Sequence, residues 1–433
     1  MRHQLLTEGA EVLSYEIREI VIKALKIKEL GQDIFWENIG DPIQKNLKLP
    51  NWIKDIVVQL ALEDSSYGYC ASKGVLETRN FIASTTNAKG GVQITADDIC
   101  FFNGLGDAIA KVYNHLSPSS RVILPSPVYS PHSTAESIHA HQPPITYKLD
   151  SENKWYPDLQ DLYNKVKNNP HIVAILVVNP DNPTGMVYPL DTMKKIVEIA
   201  KEFNLFLISD EIYGGITYNG TTAISLAEVI GKVPGIAMKG ISKVVPWPGS
   251  RCGWLEYYNR QADADFNRYC SVLDDAKMIE VCSTKLPQLS IPKILGDPRF
   301  MKYRQELNDR IGKRSQIIAD ILSPIPELTF NKTYGAFYNT IIFRKDTLSP
   351  NQTMKIENND IRQLVESWTS KNISKDKRFA YYLLGAKGVC VVPISSFCSD
   401  LLGFRVTLLE GDDQLLKKTF TLIKEGIVEY LSS

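Results

Sequence analysis

Three stretches decide the fold: "VVNPDNPTG" (residues 177–185), "LISDEIYGG" (residues 207–215) and "KGISKVVPWPGSRCGW" (residues 239–254). Each begins as an apolar or β-branched run and ends in polar and turn residues. A packed core has no use for Asn182, Asp210, Tyr213, Lys243 or Arg251 at such places. An open α/β sheet does, because ligands sit beyond the carboxyl ends of its strands and the strand-end residues line the site.

Working outward, the same pattern continues on both sides. From residue 64 to 270, short runs ("RVILPSPVY", "VAILVVNP", "LFLISDEIY", "GIAMKGIS") are separated by helical patterns such as "LDTMKKIVEIAKEFN". This alternation predicts an α/β domain with a mostly parallel sheet flanked by helices. The last third reads differently. A long amphipathic helix ("MKYRQELNDRIGKRSQIIADIL") precedes the hairpin-like "GAFYNTIIF" and the runs "GVCVVPISSF" and "GFRVTLLEG", which predicts a smaller α+β domain. We expect three units: residues 1–55, an N-terminal segment packing with the small domain; 56–300, the large cofactor-binding domain; and 301–433, the small domain. The polar stretch 344–378 is expected to be a surface excursion with one helix and no catalytic role.

The bulk properties narrow the function. The chain has 433 residues, enough for two packed domains that share an interface. Lys plus Arg (49) equals Asp plus Glu (49), so no net field draws nucleic acid or an anionic membrane, and small molecules are the expected partners. Seven scattered cysteines without a CxxC pair argue against a disulfide framework or a zinc site and fit a cytoplasmic protein; no metal is expected. The N-terminal "MRHQLLTEGAEVLSYEIREIVIKALKIKELG" carries charges throughout at helical apolar spacing, so it reads neither as a signal peptide nor as a membrane span.

Individually, the strand-end residues have plain readings. A lone lysine past a strand is usually solvated, Asn-Pro-Gly clusters make turns, and an Asp with a Tyr can be a cap beside a core tyrosine. Together they gain meaning. Lys243 is followed by a stiff Pro-Trp-Pro-Gly loop and Arg251, whose guanidinium suits forked recognition of phosphate. Asp210 and Glu211 point to opposite faces of a strand, so one of them is structural. The prolines hold Asn182 where its strand ends.

In combination, "NPTG", "DEIY", "SK" and "PGSRCGW", in this order and spacing, resemble the class I and II aminotransferases, fold type I enzymes that use pyridoxal 5'-phosphate. The resemblance runs from "ENIGDP" (residues 37–42) to "GFRVTLL" (residues 403–409). It implies that Lys243 is the catalytic lysine that binds the cofactor covalently and shuttles a proton, and that Asp210 keeps the cofactor ring nitrogen protonated. Asn182 and Tyr213 would bind its phenolate oxygen, Tyr129 would stack on its ring, and Arg251 with Gly104 and Leu105 of "FFNGLGDAIAKVY" would cradle its phosphate. Tyr69 would reach the phosphate of a neighbouring subunit, which implies a homodimer with shared sites. For substrate, Arg405 would grip the α-carboxylate and Gly40 would allow close approach, with Asn182 nearby.

The chain departs from the family pattern at Ile394, Gly240 and Asp107, which bears on phosphate contacts and subfamily. The expected reaction moves an amino group from an amino acid to a 2-oxo acid, with alanine, aspartate or glutamate favoured. Alternatives are a lyase using the same cofactor and a non-catalytic aminotransferase-like binding module. For an acidic substrate, Lys277 or Lys285 is a candidate cation.

Overall fold

A computed structural model describes residues 16–433. Residues 1–15, which hold about half of the amphipathic N-terminal stretch, lie outside the described residues; the remainder forms the helix Glu16–Glu29.

Eight strands make the main sheet, in the order Ile99–Phe102, Gly253–Tyr258, Gly235–Gly240, Phe206–Asp210, Ile172–Val178, Arg121–Ser126, Thr146–Asp150, Tyr156–Pro157. The four runs singled out in the sequence are its central strands. They pair in parallel, as does Arg121–Ser126 with Thr146–Asp150. The sheet is mixed, however: Gly253–Tyr258 runs antiparallel to both its neighbours, because the chain folds straight back so that Gly240 pairs with Gly253. The connection between them, residues 241–252, is thereby held at the carboxyl end of Gly235–Gly240, and it carries Lys243 and Arg251.

Successive strand side chains point to opposite faces. Ile175 and Val177 enter one apolar cluster, and Ala174, Leu176 and Val178 enter the other on the far side. Both faces are buried, which is why these strands read as continuous apolar runs rather than as alternation. The helix Leu190–Glu202 covers one face with Met193, Ile196, Val197 and Ala200, one apolar stripe at helical spacing.

The C-terminal part holds a four-stranded antiparallel sheet in the order Leu328–Phe330, Tyr338–Phe343, Gly403–Thr407, Val392–Pro393. The helix Pro298–Leu322 leads into it, and Asp413–Leu431 packs on that helix. Near the start of the described chain, Phe35–Trp36 pairs in parallel with Val389–Cys390, tying this segment to the C-terminal part.

The stretch 344–378 differs from the expectation of a surface excursion. It contains the helix Asn359–Thr369, yet Leu348, Met354, Ile356, Ile361 and Val365 are buried. Its many polar residues hid a sparse set of apolar anchors, of which Ile361 and Val365 stand one helical turn apart. No described helix is long and apolar enough to cross a membrane, and among the described residues no cluster of His, Cys, Asp and Glu could hold a metal ion.

Candidate active site

The strand ends and the 241–252 loop enclose a cavity of about 170 Å³ lined by Leu105, Tyr129, Asn182, Asp210, Tyr213, Ser242, Lys243 and Arg251 among others. The structure thus brings together the polar residues of all three opening stretches.

Asp210 ends its strand and is 2% exposed. One carboxylate oxygen accepts from the Ile212 N–H at 3.1 Å, and the other lies 3.2 Å from His132 Nε2. A carboxylate only accepts, so Nε2 carries a proton, and in the neutral tautomer Nδ1 accepts from the Tyr113 hydroxyl at 3.2 Å. Burial holds the Tyr113 phenol well above its ordinary pKa, which keeps it a donor. The result is a buried chain, Tyr113 to His132 to Asp210, that fixes the carboxylate's orientation.

Lys243 Nζ donates to the Gly40 carbonyl at 2.8 Å and lies 5.9 Å from the centre of the Tyr213 ring and 5.5 Å from that of Phe337. Tyr213 donates to the Tyr338 hydroxyl at 3.1 Å, and burial raises its own pKa well above the phenol range. Gly40 is required by space: a Cβ there would stand 2.1 Å from the Tyr338 hydroxyl oxygen.

A second cradle lies where the sequence places it. Gly104 has φ +84° and precedes the helix Leu105–Asn114, whose first N–H groups have no intrahelical partner. A Cβ on Gly104 would come within 2.5 Å of Arg251 Nη2. The Arg251 guanidinium makes only long contacts, 3.4 Å each to the Pro248 and Asn103 carbonyls, which leaves its donors available to an anion. Asp107 accepts from the Asn103 N–H at 3.0 Å and from Lys277 at 3.3 Å, so its carboxylate serves the turn.

Arg405 is 3% exposed on the strand Gly403–Thr407. It donates to the Asn38 carbonyl at 2.8 Å and to Asn182 Oδ1 at 3.3 Å, while its guanidinium carbon sits 4.3 Å from the centre of the Tyr338 ring. Its Nε, buried, has no partner. A buried orphan donor on a guanidinium is costly unless a ligand satisfies it.

The adjacent acidic pair divides as strand geometry requires. Glu211 turns away from the cavity and accepts from Ser225 Oγ at 2.7 Å and the Leu226 N–H at 2.6 Å. Lys277 is fully buried against Asp107 and Glu280, and Lys285 donates to the Ser65 carbonyl; neither lines the cavity. Tyr69 is 81% exposed and stands outside the cavity of its own chain. Sequence reasoning missed His132, Tyr113 and Tyr338. His132 sits within a helical pattern that gives no sign of what it faces. Tyr338 left a faint trace, since "YN" interrupts the apolar run of "GAFYNTIIF".

A lysine amine and a strand-end aspartate on one cavity, beside a glycine–arginine anion cradle and an arginine with an unfilled donor, suit a phosphorylated aromatic aldehyde and a carboxylate-bearing substrate. That donor set fits pyridoxal 5'-phosphate, and with the mixed sheet it defines a fold type I enzyme of amino acid chemistry. The family model "Aminotransferase class I and II" matches residues 37–421. An uncharacterized aminotransferase of Methanocaldococcus jannaschii is 52% identical over 433 residues, all of both chains. A glutamate-pyruvate aminotransferase of Haemophilus influenzae is 31% identical over 77% of this chain and 81% of its own length. Among solved structures, an alanine aminotransferase from Pyrococcus furiosus superimposes with a TM-score of 0.85 at 27% identity, covering 98% of this chain and 100% of that one. The chain belongs to the class I and II aminotransferases. It is an aminotransferase that uses pyridoxal 5'-phosphate and acts on amino and 2-oxo acids.

Proposed function

We propose that the protein exchanges the amino group between L-alanine and 2-oxoglutarate, with pyruvate and L-glutamate as the other pair. The observation that carries this reading is the cation inventory. Lys243 and Arg251 are the cations among the described residues that line the cavity, and Arg405 adjoins it through Asn182. All three have tasks at the amine, the phosphate and the α-carboxylate. Alanine, whose side chain is a methyl group, needs no further cation, and among the described residues none lines the cavity. The relatives named for glutamate-pyruvate and alanine transamination point the same way.

Pyridoxal 5'-phosphate, when bound, supplies an aldehyde for the amine and a ring that withdraws electrons from the α-carbon. The chain's residues do the rest. Asp210, oriented by His132, places a fixed negative charge at the cavity floor that holds a proton on a heteroaromatic nitrogen. Arg405 clamps the α-carboxylate in a forked contact, satisfying its orphan Nε and orienting the α-hydrogen toward Lys243. The Lys243 amine, which lines the cavity, would serve as the base that takes the α-proton and, as its conjugate acid, give it back. Tyr213 and Asn182 would hold the cofactor's phenolate oxygen, Tyr129 its ring, and Gly104, Leu105 and Arg251 its phosphate. Gly40 keeps the approach to Lys243 open.

Two further parts belong to this reading. Residues 1–55 and 301–433 work as the smaller body that carries Gly40 and Arg405, and residues 56–300 as the large cofactor-binding body. The working form is a homodimer: Leu62, Tyr67, Tyr69, Met278, Ile279 and Val281 are exposed, and their two segments meet where Lys285 bonds the Ser65 carbonyl. Tyr69 serves the partner's phosphate site. A cytoplasmic place in amino acid biosynthesis accords with these substrates.

The test is a steady-state panel of amino donors with 2-oxoglutarate. Alanine is expected to give the highest kcat/KM, with stoichiometric pyruvate and glutamate. Preference for aspartate would overturn the substrate assignment, and release of pyruvate and ammonia without an acceptor would favour the lyase.

A further inference from the structure

Behind the catalytic loop lies a second cavity, larger than the first at about 320 Å³, with no part in the reaction described above. Its walls are mostly apolar: Phe81, Ile224, Val244, Trp254, Leu295 and Phe300. A mostly apolar cavity of this size sits at the small end of ligand pockets, which combine such walls with a few placed polar groups.

Here the placed group is Arg304, on the helix Pro298–Leu322, at the edge of the cavity beside Met301. Two nearby cations with apparent claims on the cavity's acids differ from it. Lys239 is engaged by Glu256 at 2.8 Å and Glu211 at 3.6 Å. Lys89, which also lines the cavity, makes no hydrogen bond or ion pair among the described residues, but Glu211, itself a lining residue, and Glu256 and Glu228 lie within its electrostatic reach. Among the described residues Arg304 makes no hydrogen bond or ion pair, and burial lowers its pKa from the ordinary guanidinium value. A half-buried guanidinium without a counter-ion carries a desolvation cost that an anion removes.

We propose that this cavity is a binding site for a small monocarboxylate with an apolar alkyl or aryl body, its carboxylate paired with Arg304 and its body against Phe81, Trp254, Leu295 and Phe300. The site is distinct from the catalytic cavity but shares a wall with it. Ile212 lines both, and Gly240 and Val244 flank Lys243 in sequence. The charge selects the head group: a neutral ligand of the same shape leaves the guanidinium unpaired.

The experiment is calorimetric titration of the holoenzyme with octanoate and 3-phenylpropanoate, with 1-octanol as the uncharged control. Octanoate is expected to bind at one site per chain, at least about tenfold more tightly than octanol, since a charge-assisted pair is at stake. Arg304→Gln is expected to abolish this preference, while Arg405→Gln, beside the catalytic cavity, leaves it intact. Met301→Trp, which fills the cavity mouth from an exposed position, provides a second variant and is expected to block both ligands. Equal affinity for octanoate and octanol would overturn the proposal. So would unchanged binding in both cavity variants, or loss of octanoate binding in Arg405→Gln.

Discussion

In the proposed function, Asp210 and Arg405 act through fixed geometry as much as through charge. Asp210 is held by a backbone N–H and by His132. Asp210→Asn keeps the shape and removes the anion, and we predict a fall in kcat of about 100-fold or more with the fold unchanged, since charged hydrogen bonds are worth about 1.5–3 kcal/mol and more in a dry site. Steady-state kinetics with far-UV circular dichroism checks this. Arg405→Lys replaces a fork with a point charge, so KM for both the amino acid and the oxo acid should rise about tenfold or more while cofactor absorbance is unaltered. A variant whose KM is unchanged for both substrates would show that the α-carboxylate binds elsewhere. That Asp210 and Lys243 stand on the cavity was legible in the sequence because each follows an apolar run, and Arg405 stood out by interrupting one. His132, Tyr113 and Tyr338 were not, because their meaning arises only where separate elements meet: Tyr113 from one helix touches His132 of another, and Tyr338 comes from the C-terminal sheet to meet Tyr213.

The "NPDNPTG" turn contains a titratable group that no pattern in the chain singles out. Asp181 is fully buried, accepts from the Thr184 N–H at 2.9 Å and from its hydroxyl at 2.5 Å, and leaves Oδ1 without a partner. Burial pushes its carboxyl from 3.8 up to about 7. Because the folded pKa lies above the unfolded one, the folded protein binds this proton more tightly. The group's contribution to stability is therefore full below about pH 4 and lost as the pH rises through about 7. Asp181→Asn should remove that component, so that denaturant midpoints measured across this window fall less with rising pH than in the wild type; parallel curves would contradict the assignment. At this scale the main strands were readable as apolar runs, but their sense was not. "GWLEYY" is as apolar as its neighbours, and only the straight return from Gly240 to Gly253 makes it antiparallel. The anchors within 344–378 were masked in the same way, by the polar residues around them.

For the whole molecule, the account requires two chains. One chain supplies a cavity with Lys243, Asp210 and Arg251, while its own Tyr69, 81% exposed, does not line that cavity. Mixing Lys243→Ala protein with Tyr69→Ala protein under conditions of subunit exchange is predicted to regenerate activity, because a hybrid dimer holds one site with both native residues. Activity no greater than the sum of the separate variants would contradict shared sites. The separate antiparallel sheet of the C-terminal part was foreshadowed by the change of pattern after residue 300. The joining of Phe35–Trp36 to Val389–Cys390 was not legible from the strands themselves, since a two-residue pairing between distant segments leaves no periodicity.

All of these roles converge on one amine. The most direct measurement is borohydride reduction of the purified holoenzyme followed by peptide mass mapping. The account predicts a single pyridoxyl-phosphate adduct on Lys243, absent from the Lys243→Ala protein. An adduct on another lysine, or an undiminished yield of adduct in that variant, would contradict it.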